Sequence, residues 1–257
     1  MRIAGIIPAR YASTRLPGKP LVMLKGKPMI QHVYERARES ALLTDVIVAT
    51  DDERIAAAVR NFGGIAVMTP VTLQSGSDRI AMAAKDLPLD IVVNIQGDEP
   101  LIPPAMIDAT IRLLLDNPTS VAGTVVRRIT SDADLHNPNI VKVVLSADRR
   151  ALYFSRAAIP CVRDVDASLE LCRQQEFYKH HGLYVYRADF LQRFASLPQT
   201  PLEKSEKLEQ LRILEHGYAI SVLITELDSI SVDTPEDADR VREIMKTRTS
   251  SGAKASI

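Results

Sequence analysis

Residues 91–100 of the chain are Ile91-Val92-Val93-Asn94-Ile95-Gln96-Gly97-Asp98-Glu99-Pro100. The first five positions are mostly apolar and β-branched, which is typical of a strand buried on both faces of a parallel sheet. The strand is expected to end there, because Gly97 permits a sharp exit and Pro100 cannot continue a central strand. Asp98 is therefore expected just past the carboxyl end of a core strand, where open α/β sheets bind ligands.

A carboxylate at that edge of the sheet can hold a divalent cation against phosphate oxygens. The stretch alone leaves a second interpretation equally open. In that interpretation Asp98 is only a turn residue, or a helix cap before Pro103 and Pro104.

The composition is that of a soluble globular protein, with 46% hydrophobic and 25% charged residues in a chain of 257. Lys+Arg and Asp+Glu number 32 each, so no overall basic field would attract nucleic acid or an anionic membrane. Cys161 and Cys172 have no companions for a metal site and do not suggest a disulfide framework, so a reducing cytosol is the simplest setting. We find no signal-peptide pattern and no apolar run long enough to span a bilayer.

The first half of the chain alternates strand and helix patterns. Strands are predicted at residues 3–8, 46–49, 65–68 and 91–95, with helices at 28–40, from Thr50 or Asp51 to about 62, and at 78–85. This alternation predicts an α/β fold with a doubly wound, mostly parallel sheet of Rossmann-like type.

The second half is less regular. Helices are predicted at residues 103–115 and 203–216 and after Pro235, with Thr234 as its cap, and strands at 121–126, 140–145, 151–154, 182–186, 220–224 and 230–232. We expect one domain over residues 1–247, with an inserted, partly antiparallel subdomain at about 121–187. Residues 248–257 are small and polar and are expected to form a flexible tail.

A basic loop follows the first predicted strand. Arg10, Arg15 and Lys19 would repel one another unless an anion joins them, and a nucleoside triphosphate is such an anion. The loop has neither the GxxxxGK[ST] nor the GxGxxG pattern, because Gly18 has no partner glycine at the required spacing. A solvated basic loop without a ligand remains the alternative.

Asp233 also follows a short apolar run. If its strand ends at the same sheet edge as that of Asp98, the two carboxylates can share one Mg²⁺ ion. From the residues alone, a helix-capping role for Asp233 is favoured, because Asp-Thr-Pro-Glu is a strong helix start.

Residues 7–21, Ile-Pro-Ala-Arg-Tyr-Ala-Ser-Thr-Arg-Leu-Pro-Gly-Lys-Pro-Leu, resemble the signature of the 3-deoxy-D-manno-octulosonate (KDO) cytidylyltransferases. A looser form, a basic loop ending in Pro-Gly-Lys, is shared with CMP-sialic acid synthetases and other sugar nucleotidyltransferases. Further blocks match the KDO family in order at residues 49–51, 74–79, 94–100, 151–156, 179–180, 208–212 and 232–237. The resemblance extends from residue 7 to about residue 241.

The resemblance implies a homodimeric, Mg²⁺-dependent enzyme of lipopolysaccharide biosynthesis that joins CTP and KDO to give CMP-KDO and pyrophosphate. It implies that Asp98 and Asp233 bind the metal and that Arg15, Lys19 and Asp98 are catalytic. The residues implied to bind the nucleotide are Ala9, Arg10, Ser13, Arg15, Lys19, Gln74, Ser75, Arg79 and Gln96. The residues implied to bind the sugar are Arg156, Arg163, His180, Tyr184, Glu209 and Gln210.

The sequence departs from the family pattern at a few positions. Leu73 replaces the usual His, Ser77 and Asp78 replace Thr and Glu, and His181 replaces an apolar residue and is left unassigned. For the block at 74–79, a helix start capped by Ser77 is compatible with ligand binding.

Several alternatives stay open. His180 can be a surface histidine, and Glu209 with Gln210 a solvated helix face. The sugar can be sialic acid, a sugar 1-phosphate or the 8-amino analogue of KDO. Other classes are a catalytically silent nucleotide-binding protein and a glycosyltransferase that uses similar Asp–metal chemistry. In the favoured hypothesis, the anomeric hydroxyl of KDO attacks the α-phosphorus in line.

Overall fold

The computed structural model describes residues 1–12, 16–73, 75–164 and 169–252. Over residues 1–115 its elements are β1 (Ile3–Ala9), β2 (Met23–Leu24), β3 (Lys27–Pro28), α1 (Met29–Arg38), β4 (Asp45–Thr50), α2 (Glu53–Asn61), β5 (Ile65–Met68), α3 (Gly76–Ala84), β6 (Ile91–Asn94) and α4 (Pro104–Leu115). They continue with β7 (Ala122–Ile129), α5 (Asp132–His136), β8 (Lys142–Leu145), β9 (Ala151–Ser155), α6 (Leu171–Gln174), β10 (Phe177–Arg187), α7 (Ala188–Ser196), α8 (Pro201–Glu206), α9 (Gln210–Glu215), β11 (Ile220–Ile224) and α10 (Pro235–Gly252).

The described residues form one nine-stranded sheet whose main path runs β11-β7-β10-β6-β1-β4-β5. Strands β6, β1, β4 and β5 are parallel, as are β7 and β11, whereas β10 runs antiparallel to both of its neighbours in this path. The predicted α/β fold with a mostly parallel sheet is confirmed.

Helices cover both faces of the sheet, which explains why its central strands are apolar throughout. In β1, Ala4 and Ile6 contact the core beneath α3 and α7, while Ile3 and Ile7 contact the core beneath α1, α2 and α4. Val92 of β6 belongs to the first core, and its neighbours on either side belong to the second. The prediction that residues 91–95 are buried on both faces is confirmed.

The hairpin β8–β9 joins the sheet through antiparallel pairing of β8 with β10. Lys142 anchors its start, since the buried ammonium group donates to the carbonyls of Asn137, Ile140 and Arg156 at 2.9, 2.6 and 2.6 Å. The predicted hairpin is confirmed. The division into one domain with a subdomain at about 121–187 and a tail at 248–257 stays a prediction.

The structure differs from the sequence prediction at several elements, among them the helices α5, α6 and α7, which were not predicted. The helix predicted at 203–216 is two helices, because Lys207 adopts the left-handed conformation with φ of 55°. Residues 230–232 form no strand, and the N–H of Val232 bonds instead to the carbonyl of Asp98. Strand β10 begins at Phe177, five residues earlier than predicted, and α10 reaches Gly252.

The described chain contains no helix with the length and apolar character needed to cross a membrane.

Candidate active site

A cavity of about 750 Å³ opens at the carboxyl ends of β1 and β6. These strands are parallel neighbours, so the loops that leave them meet at one edge of the sheet. The approach is close, because a Cβ added to Gly97 would lie 2.9 Å from the carbonyl oxygen of Pro8. The other walls are the start of α3, the middle of β10, the α8–α9 junction and the segment that carries Asp233.

Asp98 and Asp233 converge on one point of this cavity. The ammonium group of Lys19 donates to Asp98 Oδ2 at 2.5 Å and to Asp233 Oδ1 at 2.9 Å. These two oxygens therefore lie within about 5.4 Å of each other, the sum of the two contacts. The bond from Val232 N to Asp98 O, at 2.9 Å, joins the two acidic segments directly.

The side chain of Asp233 does not cap the helix that follows it. Thr234 Oγ1 accepts from the N–H of Asp237, and the carboxylate of Asp237 accepts from the N–H groups of Asp233 and Thr234. Thr234 and Asp237 therefore cap α10, as predicted for Thr234. The side chain of Asp233 turns to Lys19 instead of serving as the cap.

Lys19 stays protonated between the carboxylates. Burial disfavours its charged form, but the charge and hydrogen bond of Asp98, together with those of Asp233, raise its pKa above the ordinary value of a lysine. A cation at this point is thus stabilised by two anionic groups on different segments.

The donor set fits a hard divalent cation. The carboxylates of Asp98 and Asp233 already surround one cationic group, the ammonium group of Lys19. Carboxylate oxygens are ligands that Mg²⁺ prefers, and the ion usually keeps water and phosphate oxygens as its other ligands. The described residues contain no group of three or more His, Cys, Asp or Glu side chains arranged to hold a metal. A metal here would therefore depend on ligands from the substrate.

Glu99, which the sequence analysis did not select, lies beside this point. It is 4% exposed, and burial, followed by the charge of Asp98, raises its pKa to about 7. A carboxyl group that is partly protonated near neutral pH therefore lines the cavity.

The predicted nucleotide residues meet at the cavity where the structure describes them. Ala9, Arg10 and Lys19 line it after β1. Gly18 bends this loop in the left-handed conformation with φ of 66°, and a Cβ there would approach the ring of Tyr11 at 3.2 Å. Ser13, Arg15 and Gln74 lie outside the described residues.

Ser75 and Arg79 line the cavity from the start of α3. Ser75 Oγ accepts from the N–H of Asp78 at 3.1 Å, so Ser75 caps the helix, and the suggestion of Ser77 as the cap is wrong. The buried guanidinium group of Arg79 donates to Asp51 at 2.7 Å. It therefore fixes the loop after β4 at the same sheet edge.

Four of the six predicted sugar residues line the cavity, namely His180, Tyr184, Glu209 and Gln210. Gln96, predicted for the nucleotide, also lines it and donates to the carbonyl of Gly182 at 2.8 Å. His180 and Gln210 are thus part of one cavity rather than isolated surface groups.

Arg156 and Arg163 do not line this cavity. The guanidinium group of Arg156 donates to the carbonyls of Glu206 and Pro138 at 2.9 and 3.1 Å. Arg163 is exposed in the loop after β9. Their sugar-binding roles stay predictions.

Asn94 and Lys207 also line the cavity, although neither was predicted as a site residue. Asn94 is 5% exposed, and its Oδ1 has no hydrogen-bond partner among the described residues. A buried acceptor without a partner is costly, so it fits a donor on a ligand. Lys207 lines the rim at the break between α8 and α9. Asn94 could have been identified from the sequence, because it is a polar residue near the end of an apolar strand. Lys207 could not, because nothing in the sequence distinguishes it from the other lysines.

Comparison with known proteins places the chain in a family. The cytidylyltransferase family model matches residues 4–224. The 3-deoxy-manno-octulosonate cytidylyltransferase of Geotalea daltonii is 53% identical over 252 residues, covering 96% of this chain and 100% of that protein. That of Syntrophobacter fumaroxidans is 54% identical, covering 95% of this chain and 97% of its own.

A solved structure extends the comparison to three dimensions. The CMP:2-keto-3-deoxy-manno-octonic acid synthetase, solved in complex with CTP, matches with a TM-score of 0.90 and 41% identity. The match covers 96% of this chain and 100% of that one. The chain belongs to the cytidylyltransferase family, among its 3-deoxy-manno-octulosonate cytidylyltransferases.

Proposed function

We propose that this protein transfers the cytidylyl group of CTP to the anomeric hydroxyl of KDO and releases pyrophosphate. The observation that carries the proposal is the meeting of Asp98, Asp233 and Lys19 in the lining of one cavity. The opposite wall, formed by β10 and α9, is polar enough to bind a polyhydroxylated acid.

On the nucleotide side, the loop after β1 binds the triphosphate of CTP. Arg10 and Lys19 offset the charge of the phosphate oxygens, which makes the α-phosphorus open to attack. Lys19 already lies at the carboxylates, so it can stabilise charge as pyrophosphate departs.

We also propose that the reaction depends on Mg²⁺ held by Asp98 and Asp233. When bound there, the metal would polarise the α-phosphate and lower the pKa of the attacking hydroxyl. The support is the arrangement of the two carboxylates around the ammonium group of Lys19.

On the sugar side, Glu209, Gln210 and Tyr184 bind hydroxyl groups of the acceptor. They orient it so that its anomeric oxygen approaches the α-phosphorus from the side opposite the leaving pyrophosphate. Asn94 Oδ1 supplies a further acceptor on the floor of the cavity.

Product analysis tests this function. The protein is mixed with Mg²⁺, CTP and KDO, and CMP-KDO and pyrophosphate are measured. Parallel reactions contain sialic acid, the 8-amino analogue of KDO, or a sugar 1-phosphate. We expect the highest kcat/KM with KDO, and a higher value with any other acceptor would contradict the assigned substrate.

Asp98→Asn tests the carboxylate within the same assay. We expect turnover to fall by ~10²-fold or more, the scale of removing a preorganised charge-stabilising group. Asp148→Asn is the matched control, because Asp148 lies on the exposed turn between β8 and β9. Release of pyrophosphate by Asp98→Asn at the wild-type rate would contradict the role of Asp98.

We further propose that the protein is a cytoplasmic homodimer. Leu152 of β9 is 60% exposed, and an apolar group on that hairpin is suited to a subunit contact.

Cys161 and Cys172 are both free thiols, which suits a reducing compartment. Cell fractionation tests the cytoplasmic location. Sedimentation equilibrium tests the homodimer, and a monomer at micromolar concentration would contradict it.

A further inference from the structure

A β-bulge lies between two cavity residues of β10, His180 and Tyr184. The pairing of β10 with β7 shifts register between positions 181 and 184. Gln96 closes one side of the bulge by donating to the carbonyl of Gly182 at 2.8 Å. Bulges re-aim side chains next to binding sites, so the groups that fix this bulge also fix the neighbouring side chains.

Thr124 of β7 closes the other side. It is fully buried, and its Oγ1 lies 2.8 Å from the carbonyl oxygen of Leu183 and 3.4 Å from that of His181. The same Oγ1 lies 3.0 Å from His180 Nε2. One hydroxyl group therefore contacts two carbonyls, which can only accept, and one imidazole nitrogen. It also interacts with the hydroxyl group of Tyr184, which can donate to the second lone pair of Thr124 Oγ1.

The proton count decides the direction of these bonds. A threonine hydroxyl has one proton and two lone pairs, and here its proton is directed to the carbonyls, with Leu183 O the shortest contact. The bond to the imidazole must then run the other way, with His180 Nε2–H donating to Thr124 Oγ1. In a neutral imidazole the other ring nitrogen, Nδ1, is then an acceptor.

We propose that Thr124 is a positioning residue that holds His180 in the Nε2–H tautomer, so that Nδ1 of this cavity-lining ring is a hydrogen-bond acceptor. The ring is fixed from both sides, with centroids 5.3 Å from Phe154 and 5.1 Å from Tyr184. Burial, followed by the neighbouring His181, lowers the pKa of His180 to about 3, which agrees with a neutral ring at physiological pH.

The consequence for recognition rests on the proposed function. A neutral acceptor suits a hydroxyl group of the sugar acid and does not suit its carboxylate, which accepts but cannot donate. His180 therefore selects for a hydroxyl donor, and the carboxylate of the substrate is bound by a cationic group elsewhere on the cavity wall.

Nitrogen NMR of the full chain tests the tautomer without any substrate. The protein has five histidines, so long-range ¹H–¹⁵N correlations can be resolved and His180 assigned from a His180→Asn variant. We expect the Nε2–H pattern with an unprotonated Nδ1 at neutral pH. An Nδ1–H pattern, a fast-exchanging mixture or an imidazolium signal would overturn the proposal.

Two substitutions at Thr124 test its part. Thr124→Val removes the acceptor at nearly constant volume, and we expect His180 to lose its single tautomer, whereas Thr124→Ser keeps it. Thr110→Val is the matched control, because Thr110 is equally buried but donates to Met106 O within α4. An unchanged His180 spectrum in folded Thr124→Val would overturn the assignment to Thr124. If Thr124→Val does not fold, the spectra of wild type and Thr124→Ser still test the tautomer of His180.

Kinetics then test the consequence for the sugar. We expect Thr124→Val to raise the KM for KDO about 5- to 10-fold, the scale of one hydrogen bond, with the KM for CTP within about twofold of wild type. Equal changes in both KM values would overturn a role on the sugar side. Wild-type protein that shows the Nε2–H tautomer but makes no CMP-KDO would refute the proposed function and leave the tautomer assignment standing.

Discussion

Lys19 shows how one side chain links distant parts of the sequence. Its ammonium group contacts carboxylates 79 and 214 positions away. With a triphosphate and a divalent cation bound, the phosphates would compete for Lys19 and the cation for the carboxylates. We therefore expect Lys19 to exchange Asp98 and Asp233 for phosphate oxygens when both ligands are present.

His181 predicts a pH dependence of stability. Burial lowers the pKa of His181 to about 4. The carboxylate of Asp228 acts against this shift, and the cationic Lys179 and Arg127 add to it. In the unfolded chain the same histidine has a pKa near 6.5, so the unfolded state takes up the proton first as the pH falls. The stability that neutral His181 contributes is therefore complete above pH 6.5 and is lost as the pH falls towards 4.

The corresponding experiment compares His181→Gln with wild type. Between pH 7 and pH 5, we expect the unfolding free energy of wild type to fall by about 1–2 kcal/mol more than that of the variant. Urea unfolding at the two pH values measures this difference, in which the carboxylates common to both proteins cancel. Equal losses would show that His181 is not buried in its neutral form.

The two cysteines are expected to differ in reactivity. Burial, followed by Asp132, raises the pKa of Cys172 to about 12, whereas Cys161 is exposed. At pH 8 we expect a thiol reagent to modify Cys161 at once and Cys172 only after unfolding, because the thiolate is the reactive form. Peptide mapping of the labelled native protein measures this, with Cys161→Ser as control. Rapid labelling of Cys172 in the native protein would contradict it.

At the scale of elements, α8 and α9 form the wall that carries Glu209 and Gln210. A buried, bidentate ion pair holds them together, with Arg212 donating to the two oxygens of Glu203 at 2.8 and 2.5 Å. Both side chains are 5% exposed or less. Arg212, which belongs to a block that resembles the family, therefore supports the cavity wall without lining the cavity.

Arg212→Ala leaves Glu203 buried without its partner. We expect a loss of about 3–5 kcal/mol in unfolding free energy. The matched control is Arg60→Ala, because the Arg60–Glu53 pair is more than half exposed on both sides and should contribute less than about 1 kcal/mol. Urea unfolding compares the two variants, and similar small losses in both would contradict the structural role of Arg212.

The elements also show where sequence patterns suffice. Residues 65–68 and 220–224 form strands with the predicted bounds. A short apolar run between turn residues indicates a strand, even where the strand is partly exposed as β5 is. Strand β10 was predicted too short, since Lys179, His180 and His181 interrupt its apolar pattern and its bulge near Gly182 resembles a strand start. The break at Lys207 was missed, because a non-glycine residue in the left-handed conformation has no signature in one sequence.

At the scale of the whole molecule, the order of the strands decides the site. Parallel β1 and β6 bring Lys19 and Asp98 to one edge, which the alternation of elements predicted. The position of Asp233 could not be predicted in this way, since residues 230–232 form no strand and reach the site through one backbone bond to Asp98. From the residues alone the pairing depended on a strand at 230–232, and only the resemblance to the family favoured it over a helix-capping role for Asp233. The same limit applies to Thr124, whose role depends on cross-strand register.

Metal affinity can show whether Asp98 and Asp233 form one metal site. Calorimetry would measure Mn²⁺ binding to the protein saturated with a non-hydrolysable CTP analogue, for wild type, Asp98→Asn, Asp233→Asn and the control Asp148→Asn. We predict that each of the first two substitutions weakens Mn²⁺ binding ~10-fold or more, as expected when a carboxylate ligand is lost, and that the control does not. Wild-type affinity in both Asp98→Asn and Asp233→Asn would contradict the account.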